Sequence, residues 1–314
     1  MFYVRGLAIS LSIFAIVYAA MSLAVCLTWQ RMRSFSDRFS SRRRANLLFA
    51  LRMFPLINAI AATGALAIPS FLLFEPRGIN EPLGGFLLAA ALCGLALILF
   101  GFIHASSALF RASRAISLWT NGARTISSSG PVPVLQISGA VPAMTAVGIV
   151  RPAVLLSQSA LDLLTGGELR SALNHEFVHW RRRDNLRKLL LHFVTLPGMR
   201  GLESAWLEAT EMAADDAAVS NREQALDLAA ALIKLSRFIH PPAELTAALV
   251  HSPVSTVNAR VERLLAWREA HPASSARHVF RCGFAALTAT AVVLGVVCSP
   301  LLAYVHAATE WLVR

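Results

Sequence analysis

Charge is what this sequence has least of. Only 15% of its 314 residues are Asp, Glu, Lys or Arg, whereas 56% are hydrophobic. Soluble domains are typically about a quarter charged, so the deficit excludes a chain that sits in water along its whole length. Acidic residues are the scarcer sign, 18 against 29 basic, leaving a net charge of +11 carried overwhelmingly by arginine. Such an excess fits nucleic acid, an anionic membrane surface or topology signals, and position along the chain decides between them. Cysteine is sparse too. Cys26, Cys93, Cys282 and Cys298 each lie in or beside an apolar run, and none forms a CxxC pair or a Cys/His cluster. This excludes a cysteine-based metal site and leaves small apolar membrane residues. Internal repeats are absent as well.

What is present is a set of long apolar runs. A bilayer crossing needs about 20 apolar residues. Four stretches reach that length: about 6–29, 53–74 and 83–110, and a fourth from Cys282 to Thr309. The second carries Pro55 and Pro69, which kink a spanning helix but are tolerated there. The first run is too long for a signal-peptide core and is followed by arginines, so it is expected to stay as a span. The loop 30–46 holds Arg31, Arg33, Arg38, Arg42, Arg43 and Arg44 against a single Asp37. The positive-inside rule makes this loop cytoplasmic. The N- and C-termini then lie outside, and Arg111, Arg114, Arg124, Arg277 and Arg281 fall on the cytoplasmic side. The basic loop lacks an interleaved aromatic pattern, so a topology signal with attraction to anionic lipid is expected rather than direct nucleic-acid binding.

Residues 111–281 alone have ordinary globular composition and suffice for one domain core. Ser127–Pro131 reads as a flexible boundary. Short runs rich in Val and Ile follow, at Val132–Ile137, Thr145–Val150 and Ala153–Leu156, and read as strands. Thr165 and Glu168 form a capping-box pattern, opening a helix expected through Glu168–Phe193 and stopped by Pro197 and Gly198. Further helices are expected at about 202–219, 223–238 and 257–270.

Inside the first of these helices stands His175-Glu176-Phe177-Val178-His179. Positions i and i+4 share a helix face, so both imidazoles can reach one metal ion, while Glu176 can reach a metal-bound water. A chain of this size with 9 His matches HExxH by accident about once in a hundred sequences. The bland alternative, two exposed histidines on an amphipathic helix, has Ala172, His175, His179 and the stem of Arg183 on one face. It leaves the polar groups among Leu173, Phe177, Val178 and Trp180 unexplained. Catalytic zinc takes three protein ligands and leaves a place for water. Candidates for the third are His192, Glu203, Glu208, Glu211, Asp215 and Asp216. Glu211 and Asp215 are four apart on one face, among small residues Ala213, Ala214, Ala217 and Ala218 that permit close helix approach. One carboxylate can bind metal while the other orients a ligating histidine.

The runs HEFVHWRRRD (His175–Asp184), followed by Asn185-Leu186, and EMAADDAA (Glu211–Ala218) together resemble the M56 family of membrane metallopeptidases. That group contains the β-lactam-sensing antirepressors and is related to the M48 peptidases, with HExxH followed by ExxxD. The resemblance is strongest over Val132–Ala218, where Gly148–Pro152 and Ala153–Ser157 are similar to the family's strand segment beside the cleft. It implies His175, His179 and Glu211 as ligands of one Zn2+, Glu176 as general base, Asp215 as the acid steadying a ligand histidine, and Asp184 in a structural role. Sensory members carry a penicillin-binding domain after the last span. Here only the short tail ending at Arg314 follows it and no SxxK motif is present, so direct β-lactam sensing is not expected.

The expectation is therefore a mainly α membrane protein with four transmembrane helices and a zincin-like α+β metallopeptidase domain between helices 3 and 4. It comprises 1–110 with three spans, 111–281 as a cytoplasmic zinc domain, and 282–314 as a fourth span and outside tail. Its expected home is a bacterial-type inner membrane. Its expected substrate is a cytoplasmic or membrane protein, such as a transcriptional repressor, paired along Thr145, Ala146, Val147 and Gly148 by strand addition. The rivals are a quality-control protease of M48 type and an inactive signalling scaffold.

Overall fold

The structure is a computed structural model. It describes residues 2–36, 39–76, 84–127, 130–138, 143–193, 199–236, 257–267, 302–304 and 307–308. The fourth expected span and the tail, 282–314, lie almost wholly outside the described residues. The protein is mostly helical with one small mixed sheet, and it divides into two compact units. One comprises Met1–Met32, Ala50–Phe102 and Pro272–Arg314, and the other Arg33–Phe49 and Ile103–His271. The boundary thus falls before Ile103 rather than after Phe110, and the second unit takes in part of the basic loop.

Three helical stretches are long and apolar enough to cross a membrane: Phe2–Arg31, Ser41–Phe74 and Gly85–Thr120. They lie in α1 (Phe2–Ser36), in α2 (Ser41–Ala62) with α3 (Ile68–Phe74), and in α4 (Gly85–Thr120). Between α2 and α3 the chain widens into a π turn, Thr63–Ala67, where the Ile68 N–H donates to the Thr63 carbonyl. Pro69 follows at once. A proline lacks an N–H and its ring crowds the carbonyl four residues back, and a wider turn relieves this without breaking the helix. In this unit large apolar side chains are exposed, among them Leu7, Leu23, Leu27, Leu72, Leu92 and Phe102, and exposed apolar surface of this extent marks a membrane or protein interaction site. The inner contacts are close. A Cβ on Gly94 would lie 2.3 Å from the Leu11 carbonyl oxygen, and the Ser12 hydroxyl donates to Leu87 O at 3.0 Å. Small residues and side-chain hydrogen bonds are how helices associate in lipid. Arg5 and Glu75 form a buried ion pair at 2.8 Å.

The second unit holds the sheet, in the order β1-β2-β4-β3, from β1 (Arg124–Ser127), β2 (Val134–Ile137), β3 (Met144–Val147) and β4 (Ala153–Ser157). β2 and β4 are parallel and the other pairs antiparallel. All five residues of β4 are buried, because alternate side chains point to opposite faces and both faces are covered. Val154 and Leu156 pack with Leu173, Phe177 and Trp180, whereas Ala153 and Leu155 pack with Ile116 and Trp119. That second layer explains why α4 runs on to Thr120 rather than stopping at 110: its last turns cover a sheet face. β3 ends at Val147, and in the next residue, Gly148, φ is +82° and a Cβ would collide with the Arg151 carbonyl. The strand expected through Val150 therefore stops three residues early.

The helices are α5 (Gln158–Leu163), α6 (Gly166–Arg182), α7 (Asp184–Phe193), α8 (Arg200–Ala218), α9 (Arg222–Ser236) and α10 (Val257–Leu265). The capping box forms at Thr165 and Glu168. The single helix expected over 168–193 is broken. Arg183 adopts the left-handed conformation at φ 54° and ends α6, so its stem does not continue the histidine face.

Candidate metal centre

α6 presents His175 and His179 one turn apart toward α8, whose Ala213, Ala214 and Ala218 are buried and let the helices close on each other. Ala217 faces solvent instead. Across this contact stands Glu211. The two imidazole Nε2 atoms are 3.0 Å apart. Glu211 Oε2 is 3.6 Å from His175 Nε2, and Oε1 is 3.7 Å from His179 Nε2. Donor atoms of these three side chains all lie within 4.8 Å of one another, and the group could hold a metal ion. Bonds of about 2.0–2.2 Å arranged tetrahedrally put ligand atoms roughly 3.3 Å apart, so the triangle fits such an ion.

The other ring nitrogens each face a carboxylate. His175 Nδ1 is 2.9 Å from Asp215 Oδ1, and His179 Nδ1 is 2.8 Å from Asp184 Oδ2. A metal-binding histidine characteristically donates its remote N–H to such a group, which fixes the tautomer and aims Nε2 inward. The break at Arg183 makes the second contact possible. In an unbroken helix a residue five positions on lies about 140° around the axis and faces away from His179. The left-handed residue turns the chain so that buried Asp184 comes back to the imidazole.

Burial and charge oppose each other throughout the cluster. Burial alone would depress His179, yet the Glu211 carboxylate and the Asp184 hydrogen bond hold it up at about 10. Burial likewise opposes the charged form of His175, and Asp215 and Glu211 raise it nonetheless. Burial would raise Glu211, but His179 and Arg260 hold it well below the usual carboxylate range. Asp215 is lowered to about 2 against its burial, chiefly by Arg260.

Glu176 is placed differently from the three converging groups. Its Oε2 accepts from the Ala146 N–H at 2.6 Å, while its charge is felt at both His179 and Arg260. Asn185 donates to the carbonyls of Ala146 and Gly148 at 3.1 and 3.3 Å. β3 is thus an edge strand of the described sheet, with the outer N–H and C=O of Ala146 directed at α6 and α7. Thr145 and Val147 are paired with β4. Of the other candidates, Asp216 is exposed and pairs with Arg263, Glu203 and Glu208 are half-buried outside the metal-competent group, and the backbone carbonyl of His192 lies 3.0 Å from the His104 ring.

Two participants escaped the sequence reading. Asn185 gave no signal beyond its place after the motif. Arg260 did give one: with Val257, Val261 and Leu264 it falls on the i, i+3, i+4, i+7 stripe of α10, where an apolar residue belongs. It is 4% exposed. Its guanidinium grips both Asp215 oxygens at 2.7 Å and reaches Glu211 Oε2 at 3.0 Å and His175 Nε2 at 3.4 Å. A scan against protein-family models and a search of curated proteins each returned no match for this chain.

Proposed function

We propose that this protein is a membrane-embedded metallopeptidase. More particularly, it is a zinc metalloendopeptidase of M56 type, the group its HEFVHWRRRD and EMAADDAA runs resemble. One observation carries the reading: two histidine Nε2 atoms and a glutamate converge, and each histidine's remote nitrogen faces its own carboxylate, at 2.9 Å for His175 and 2.8 Å for His179. A solvated acidic face or a pair of surface histidines has no reason to build that second layer. His175, His179 and Glu211 would hold the ion, and a His2Glu donor set suits zinc. Bound there, zinc would supply a Lewis acid for the scissile carbonyl and lower the pKa of a water toward about 7.

The chain's own residues do the rest. Glu176 accepts the proton of the attacking water and returns it to the leaving amine. The outer edge of β3, Thr145 to Gly148, pairs with an extended substrate backbone, and Ala146 offers both an N–H and a C=O for that pairing. As the peptide seats, the Glu176 carboxylate leaves the Ala146 N–H to meet the water. Asp184 and Asp215 keep the imidazoles aimed. The spanning segments number four in this reading, the last being Cys282–Thr309, and the positive-inside rule puts the catalytic unit in the cytoplasm with both termini outside. The substrate is then a cytoplasmic protein, such as a repressor, or the cytoplasmic part of a membrane protein.

Glu176→Gln tests the enzyme directly. The full chain in membranes should lose about 10²–10⁴-fold of its peptidase rate and still bind one zinc. Comparing the proteome of cells carrying each form should show cleavage products that vanish in the variant. A Glu176→Gln chain that still yields those products refutes the catalytic reading.

A further inference from the structure

Arg260 is a buried cation that the proposed reaction does not use, and it touches the one ligand candidate with two equivalent donor atoms. A glutamate can offer a metal one oxygen or both. With both, it fills the position that water must take. In this structure the two oxygens of Glu211 are not equivalent. Oε2, 3.6 Å from His175 Nε2, also accepts from Arg260 Nη1 at 3.0 Å, while Oε1 lies 3.7 Å from His179 Nε2. The same guanidinium is locked in place by its fork on Asp215, Nε to Oδ2 and Nη2 to Oδ1, both at 2.7 Å. Asp215 in turn holds His175. A planar guanidinium with five fixed donors can span two carboxylates in this way, whereas an ammonium cannot.

We infer that Arg260 is a positioning residue that restricts Glu211 to one-oxygen ligation through Oε1, and so keeps a coordination place open for water. It rests on the metallopeptidase reading of the site. α10 exists, in this view, to deliver that side chain. Its Leu264 packs with Val178, Ala214 and Leu228, from α6, α8 and α9, and this fixes the height of Arg260 above the ligands. With Arg260 absent or shortened, Glu211 Oε2 is released to swing onto the ion. The site then still takes metal but offers a fourth protein donor in place of solvent.

The test uses the detergent-solubilised full chain, loaded with Zn2+ or Co2+. Arg260→Lys keeps the charge and loses the fork. The expected results are a roughly 10-fold weaker zinc affinity by chelator competition, within the range usual for partners of metal ligands, and an altered visible spectrum of the cobalt form as a carboxylate oxygen replaces water. The turnover number should fall while KM holds. Unchanged affinity together with an unchanged cobalt spectrum overturns the inference. Should the lysine variant fail to accumulate, X-ray absorption of the zinc-loaded natural chain decides the matter. Four light donors at about 2.0–2.2 Å support one-oxygen ligation, and an additional, longer carboxylate oxygen refutes it. If the natural chain binds neither ion, the metallopeptidase reading fails first. If it binds them and Arg260→Lys matches it, only the role of Arg260 falls.

Discussion

The two units bury charge for opposite ends. In the unit of long apolar helices, the ion pair of Arg5 and Glu75 ties the beginning of α1 to the end of α3. Elsewhere cohesion comes from backbone proximity, as at Gly94 and Leu11. The other unit is apolar inside, with Leu155, Leu202, Trp206 and Leu228 almost wholly covered, yet it gathers His175, Glu211, Asp215 and Arg260 into one buried cluster. Burying so many ionisable groups is costly, and such a perturbed cluster marks a candidate functional site. A fold that needed only stability would place leucines there.

That contrast breaks most severely at Asp215. Asp215→Ala strands Arg260 as a buried, half-paired cation and frees His175. Losing one partner of such a pair costs about 3–5 kcal/mol. Limited proteolysis of the full chain should show cleavage within Ile103–His271, while circular dichroism keeps the spanning helices. Adding Arg260→Met to Asp215→Ala should return much of the protection, since the stranded charge is then gone. Protection equal to the natural chain in Asp215→Ala alone would mean that the cluster does not hold this unit together.

The reciprocal damage belongs at Gly94. Gly94→Ala places a methyl against the Leu11 carbonyl, a backbone atom that cannot rotate away. Overpacking of this kind costs about 1–3 kcal/mol. The thermal midpoint of the solubilised chain should fall, with zinc affinity unchanged. Gly64→Ala is the control, because a Cβ there meets nothing within 4 Å, and its midpoint should stay within error. Equal effects at both glycines would refute close approach as the source of cohesion.

The same contrast decides what could be read from the sequence. The three long apolar helices were legible because a bilayer's thickness sets a length and a composition that show locally. The His175–His179 pair and the Glu211–Asp215 pair were legible because each lies on one helix face, a property of spacing alone. Asp184 facing His179 was not, since it depends on one left-handed residue, Arg183. Nothing in the arginine codes for that conformation; the packing around it does. β1 went unseen because Arg124–Ser127 has almost no apolar residues to alternate, and only its pairing with β2 makes it a strand. Arg260 went unseen because its partners lie 45 and 49 residues away, and a helical stripe shows which face is buried but not against what.

The smallest expected effect concerns the entrance to α6, where the metal-competent helix begins. The Thr165 hydroxyl accepts from the Glu168 N–H, the Glu168 carboxylate accepts from the Thr165 N–H at 2.8 Å, and Lys234 of α9 also reaches that carboxylate at 2.7 Å. Thr165→Ala removes half of the box, typically costing about 1 kcal/mol. Hydrogen exchange should report faster opening of the first turn of α6, with the turn bearing His175 and His179 unaltered. The remaining half depends on pH with a definite sign. Burial would raise the Glu168 pKa, but the hydrogen bonds from Lys234 and Thr165 bring it below its ordinary 4.5. A carboxyl lowered on folding contributes its stabilisation above the unfolded value and loses it as pH falls through the folded one. Protection of this turn should therefore be level above about pH 5 and decline below pH 4.5. In Glu168→Gln the decline should flatten, because the amide does not titrate. If the first turn opens no faster in Thr165→Ala than in the natural chain, the helix is held by its packing on α8 and α9 alone, and the box adds nothing to the placement of the histidines.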